Sequence, residues 1–251
     1  MFTIGVDLAA GPEGTALARI DWTGTSAGLV RVQVGIDDSP IVDASRGATA
    51  VGIDCAFGWP VEFVDFLTEH ASGRLPPRSL TGKDWRRQLS YRHTDRFVRD
   101  ITGRWPLSVA TDRLGLTAMR CAELLSAFSL AGEDVDRSGS GRLVEVYPAA
   151  ALRCWDIPVA GYKRHASKRI EALDNLLSAA PRLEITPDQR VVLERSDDAF
   201  DAVVSALVAG AHARGHTSPP PHELQDAAQV EGWIALPTSP LESIVSPADP
   251  R

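Results

Sequence analysis

Residues 2–9, FTIGVDLA, set an acid inside an apolar run, and the fold is read outward from them. The run has the length and composition of a strand, yet Asp is disfavoured in strands and seldom buried without a partner. Gly11-Pro12-Glu13-Gly14 is a turn signal, followed by a second strand at residues 15–22 (TALARIDW). A second turn, Gly24 to Gly28, leads to residues 29–35 (LVRVQVG), which alternate apolar and polar as a half-buried strand does. Turns this short between consecutive strands imply antiparallel hairpins.

Further on, a short helix or irregular link at Asp38–Ser45 precedes a fourth strand at residues 49–55 (TAVGIDC), closed by Gly58-Trp59-Pro60. A helix is expected from Pro60 to about His70, with Pro at its first position, and another over Leu116–Ala131. The linker Gly132–Gly141 leads to a fifth strand at 142–147 (RLVEVY), and Lys163–Ser178 and Asp197–Arg214 read as amphipathic helices. A short strand at 232–236 is a further expectation, and the Pro- and Ser-rich stretch 237–251 reads as a disordered tail. The expected architecture is α/β: a single domain over 1–236, a five-stranded mixed sheet with helices on both faces, and a helical insertion at about 60–141. Strands 4 and 5, separated by helices, are expected to run parallel to strand 1.

Composition bounds the function. No apolar run among the 251 residues approaches the roughly 20 needed to span a bilayer. The N-terminus carries no basic region before its first strand, so no signal peptide is expected. Cys55, Cys121 and Cys154 show no zinc-ligand spacing and read as free thiols of a cytoplasmic protein. A formal net charge of −7 argues against indiscriminate coating of nucleic acid. The run Gly24-Thr25-Ser26-Ala27-Gly28 mimics a nucleophile elbow, but it lies between two strands where that motif needs a strand-to-helix turn. There is no phosphate-binding loop or dinucleotide fingerprint, and of the six histidines only His93 is expected near the site.

Three strands carry a carboxylate within or at the end of an apolar run: Asp7, Asp54 and Glu145. An ionised carboxylate stranded in such a place costs several kcal/mol, which a metal ion or cationic partner offsets. A fourth acidic group, Ser196-Asp197-Asp198-Ala199-Phe200-Asp201-Ala202, opens a long helix. Ser196 is a natural N-cap, and acids in the first turn suit the helix dipole. Asp198 and Asp201 share a face with Ala202 and Ala206, and such small residues let a helix approach a sheet closely. Asp197 lies at a similar azimuth to Asp201, so either member of the Asp197/Asp198 pair is open as its companion.

The succession Gly5-Val6-Asp7, Gly52-Ile53-Asp54, Glu145-Val146-Tyr147-Pro148 and Asp197 to Ala202 resembles domain-of-unknown-function family 429, whose members are predicted nucleases of the ribonuclease-H fold. Thr94-Asp95-Arg96, Gly161-Tyr162-Lys163 and Glu231-Gly232-Trp233-Ile234 extend the resemblance over about Phe2 to Pro237. More distantly it is similar to RuvC-type junction resolvases, which hold metal with a first-strand Asp, a fourth-strand acid and a D-x-x-D pair on the last helix. Asp7, Asp54, Asp198 and Asp201 fall on those positions in chain order; Glu145 has no counterpart. The resemblance implies a nuclease.

Four carboxylates without His or Cys point to Mg²⁺ or Mn²⁺, which prefer hard oxygen ligands. The expected roles are Asp7 bridging two ions, Asp54 and Asp198 or Asp201 holding one each, and Glu145 supplementary. Carboxylates more than about 10 Å apart end this expectation, because two-metal sites hold their ions about 3.5–4 Å apart. Between Arg74 and Arg104 lie nine basic residues, namely Arg74, Arg78, Lys83, Arg86, Arg87, Arg92, Arg96, Arg99 and Arg104, with Trp85, Tyr91 and Trp105 interleaved. They suggest a nucleic-acid surface, with Arg92, Arg96 and Lys163 as substrate contacts. Two other functions stay open: a non-catalytic module that binds an anion or a partner, and a nucleotide-binding phosphotransferase of the actin-like superfamily.

Overall fold

A computed structural model of the protein describes residues 1–24, 26–74 and 82–245. Its first half contains β1 (Phe2–Asp7), β2 (Ala16–Trp22), β3 (Ala27–Val34), α1 (Asp38–Ala44) and β4 (Ala50–Asp54). The insertion follows as α2 (Val61–Ala71), α3 (Gly82–Ser90), α4 (His93–Thr102) and α5 (Gly115–Leu130). Then come β5 (Leu143–Glu145), α6 (Pro148–Cys154), α7 (Ala166–Ala179), β6 (Leu183–Glu184), α8 (Pro187–Arg195), α9 (Asp197–His212), α10 (Gln225–Glu231) and α11 (Leu241–Val245).

The sheet is mixed, in the order β5-β4-β1-β2-β3-β6. β1, β2 and β3 pair antiparallel, as the short turns require, while β4 lies parallel to β1 and β5 parallel to β4. It has six strands where five are expected. The addition, β6, pairs only Leu183 and Glu184 with Ala27 and Gly28, and two residues carry no period for a sequence to display.

Alternation along β1 and β4 sorts their side chains to two faces. Ile4, Val6, Val51 and Ile53 pack into one apolar cluster with Ile41 of α1 and Leu124 and Phe128 of α5. The other face meets α9, whose buried positions run without a break from Ala199 to Ala211. A helix apolar on all sides belongs in the interior, and this one lies against bare backbone. A Cβ on Gly5 would come within 2.1 Å of the Ala202 carbonyl oxygen, and one on Gly52 within 2.5 Å of that of Ser205. Thr3 Oγ1 donates to the Ala206 carbonyl at 2.9 Å and accepts Trp22 Nε1 at 2.9 Å, which ties the helix to the sheet.

Two expectations near the C-terminus are corrected. Residues 232–236 form no strand; Ile234 makes a single parallel bridge to Glu145, and the segment is buried. The expected disordered tail is ordered as far as Val245, because α11 turns Leu241, Ile244 and Val245 into the core. Residues 246–251 lie outside the described residues. Among the described residues, no helix is long and apolar enough to cross a membrane.

Candidate functional site

Parallel register brings the two Gly-x-Asp segments side by side. Gly5 pairs with Gly52 and Asp7 with Asp54, so both carboxylates leave the sheet on the α9 face at the ends of neighbouring strands. The glycines two residues earlier let α9 settle close enough to add a third. Carboxylate oxygens of Asp7, Asp54 and Asp201 all lie within 4.8 Å of one another. Ser196 caps α9 by accepting the amide of Ala199, as expected, and the first turn carries Asp197 and Asp198. Of that pair, Asp198 turns to the cluster and reaches Asp7, whereas Asp197 sits 3.8 Å from Arg169.

Burial, with like charge close by, raises Asp7, Asp54, Asp198 and Asp201. Burial, then Asp54 and Asp201, hold the Asp7 carboxyl well above the ordinary range, with Lys163 opposing. Burial pushes Asp54 up to about 7 against the pull of Lys163, and Asp201 adds to the rise. Asp201 is raised by burial, although Lys163 and Tyr162 both stabilise its charge. Lys163 Nζ lies 2.6 Å from Asp201 Oδ2, and the Tyr162 hydroxyl donates to Asp201 at 2.9 Å. Against burial, the surrounding aspartates raise the Lys163 ammonium, so it stays charged. One lysine cannot balance four carboxylates, so these acids hold on to protons that a divalent cation would displace, in a donor set made entirely of hard oxygens. That chemistry fits a magnesium- or manganese-like ion.

Glu145 stands outside the cluster of aspartates, although it lines the same cavity as Asp7 and Asp54. It pairs with Ile53, not with Asp54, so alternation sends it to the opposite face. There it meets Arg92: Nη1 and Nη2 donate to its two oxygens at 2.8 and 2.7 Å, and the amide of Phe57 donates to Oε2 at 2.9 Å. Arg92 also binds both oxygens of Asp95 and the Glu231 carbonyl. At 3 % exposure it is an internal counter-ion, which corrects its expected role as a substrate contact.

Glu231 belongs to the same polar knot. Its side chain accepts the amides of Val61 and His93, at the starts of α2 and α4, and His93 Nδ1 lies 3.1 Å away. His93 is thus a neighbour of Glu231, away from the aspartates. Gly232 has φ +87°, and a Cβ there would strike Glu145 Oε2 at 2.6 Å. The scattered segments around Asp95, Glu145 and Glu231 converge on this one structure, whose Arg92 and Glu145 line the same cavity as Asp7 and Asp54.

The basic stretch is mostly surface. Lys83, Arg86, Arg87, Arg99 and Arg104 are exposed, Arg96 is half-buried and donates to the Gln88 carbonyl, and Arg78 lies outside the described residues. Trp85 packs edge-on to Phe66, whereas Tyr91 and Trp105 stack 4.2 Å apart. Sequence reasoning missed Tyr162 and Asp95 as working parts of the site. Each stands directly beside a basic residue already singled out, which was the available signal.

The family described as protein of unknown function (DUF429) matches residues 5–225, a span that begins at Gly5 and takes in Asp7, Asp54, Asp95, Glu145, Asp197, Asp198 and Asp201 but stops short of Glu231. The chain belongs to the DUF429 family. Within this DUF429 protein the matched span runs from Gly5 in β1 to the first residue of α10, so it holds the aspartate cluster and all of the second polar assembly except Glu231. Searches of curated proteins and of solved structures gave no match.

Proposed function

We propose that this chain is a divalent-cation-dependent nuclease of ribonuclease-H-like fold that hydrolyses phosphodiester bonds. One observation carries the reading: Asp7, Asp54 and Asp201, from two strand ends and a helix, bring carboxylate oxygens within 4.8 Å of one another. The resemblance to junction resolvases implies a first-strand, a fourth-strand and a last-helix acid at one site, and their meeting here supports it. The mixed sheet with helices on both faces agrees with the fold it implies.

Asp7, Asp54 and Asp201 would hold the ion, with Asp198 beside them. A bound divalent cation supplies charge compensation at phosphoryl oxygens and an acidified water as nucleophile. The chain's own residues prepare the rest. Tyr162 fixes the orientation of Asp201 through the hydroxyl bond at 2.9 Å. Lys163, with its side chain 47 % exposed, presents a cation at the rim where a phosphate arrives. Nucleic acid is the proposed partner, approached over the exposed arginines of α3 and α4.

The test is Mn²⁺ and Mg²⁺ calorimetry on the wild type, Asp7→Asn and Asp201→Asn, followed by cleavage assays on single- and double-stranded DNA and RNA with and without EDTA. Binding that weakens at least about tenfold in both variants, a change of 1.4 kcal/mol, and EDTA-sensitive cleavage are expected. Cleavage that persists in Asp7→Asn overturns the reading.

The Lys163–Asp201 ion pair favours a second reading, a non-catalytic module whose acidic cluster is satisfied internally. Lys163→Met separates the two. A cation site binds Mn²⁺ as well or better without the competing ammonium; an internally satisfied cluster loses stability and binds no metal.

A further inference from the structure

The space beside the carboxylates has a different chemistry from the carboxylates themselves. A cavity of about 230 Å³ opens from Asp7 and Asp54 and is walled by Leu8, Ala56, Pro106, Leu107, Leu114 and Ile234. Pockets for drug-sized ligands run to roughly 300–1,000 Å³, so this one takes a single small ring system. Charge decides what kind. Arg92 reaches the lining, but its donors are spent on Asp95, Glu145 and the Glu231 carbonyl. Lys163 also lines it, with its ammonium paired to Asp201. An anion entering the apolar end meets Asp7, Asp54 and Glu145 without a free cation among the described residues, so that end suits an uncharged group. Thr117 and Tyr147 also line it, and neither hydroxyl has a protein hydrogen-bond partner among the described residues. Both are available to the polar edge of a ring.

The approach to the mouth is of another character. Leu107 is 50 % exposed and Trp105 37 %, and the Arg99 guanidinium lies 5.3 Å from the Trp105 ring centre. Arg104 adjoins them in sequence and is exposed. A cationic, aromatic surface therefore adjoins Pro106 and Leu107, which belong to the apolar wall of a cavity that also holds the carboxylates.

We propose that this cavity receives the base of an unpaired nucleotide whose phosphate lies at the aspartates, a proposal that rests on the phosphodiester-cleaving reading above. A base held in a duplex cannot enter so narrow a space without leaving its stack, which costs a few kcal/mol and least in single strands. The substrate class is therefore single-stranded or strand-end nucleic acid.

Adenosine, guanosine, cytidine and uridine carry no phosphate, so they probe the cavity independently of any metal. Each is titrated into the full chain by ligand-observed NMR, alongside Mn²⁺ alone by calorimetry, on the wild type, Leu114→Trp and Leu107→Ala. The expected result is binding of at least one nucleoside, weakened about tenfold or more in both variants, with thermal unfolding and Mn²⁺ binding retained as checks on the fold. Leu107 is half exposed, so its truncation leaves folding intact if Leu114→Trp does not. Mn²⁺ binding without any nucleoside binding overturns the cavity proposal and leaves the carboxylate site standing. Nucleoside binding without Mn²⁺ upholds the cavity and removes the metal reading. Nucleoside binding undiminished in both variants, or no binding of either probe, overturns the proposal.

Discussion

At the scale of single residues, the site is a balance between like charges and a few partners that hold them together. Asp54 illustrates the sign. Its folded pKa, about 7, lies above the ordinary 3.8, so between these values the native state keeps a proton that the unfolded chain has lost. The stability this contributes is fully present below about pH 4 and is lost as pH rises toward 7. Unfolding free energies from urea titrations of the metal-free protein should fall over that window by about 2–4 kcal/mol, and Asp54→Asn should flatten the slope. A slope unchanged in Asp54→Asn would show that the proton resides elsewhere. Arg92 holds the second balance, between Asp95 and Glu145. Removing one partner of a buried ion pair leaves uncompensated charge and costs about 3–5 kcal/mol. Arg92→Met should therefore lower the unfolding midpoint far more than Arg99→Met on the surface, and equal shifts for the two would contradict the burial argument.

At the scale of elements, the decisive contact is helix on sheet with no side chain between. Gly5 and Gly52 are empty on the face that α9 occupies, and Gly210 is similarly bare against Trp22, whose ring atom would lie 2.1 Å from an added Cβ. Gly5→Ala has no flexible neighbour to push aside, since backbone of Ala202 and Ala206 fills the space. Overpacking of this kind costs about 1–3 kcal/mol, occasionally more, and it lifts Asp201 away from Asp7. The variant should melt lower and also bind Mn²⁺ more weakly, whereas Ala substitution at half-buried Gly28, where an added Cβ meets nothing within 4 Å, should do neither. If Gly5→Ala melts lower with unchanged Mn²⁺ affinity, the glycine serves packing alone.

Over the whole molecule, the parts legible in the sequence are those governed by local period. Two Gly-x-Asp segments at strand ends announce themselves through alternation, and Asp198 and Asp201 through helical spacing. What stayed hidden depends on register between distant segments. Nothing in residues 142–147 says that Glu145 faces Ile53 and not Asp54, and that one-residue difference moves it to the other side of the sheet. Arg92 looked like a surface arginine because its neighbours in sequence are basic; its partners come from β5 and the end of α10. β6 and α11 are too short to show a pattern, and tertiary packing alone defines them.

The separation of Asp7, Asp54 and Asp201 along the chain has a temporal meaning as well. Synthesis proceeds from the N-terminus at roughly 5–20 residues per second, so β1 and β4 emerge long before α9. Until that helix arrives, two carboxylates face empty space and Lys163 has no Asp201 to engage. The three-aspartate cluster is therefore among the last features the molecule acquires. A nascent or truncated chain that ends after β5 lacks the third aspartate, and the carboxylate cluster is complete only once α9 has joined the sheet.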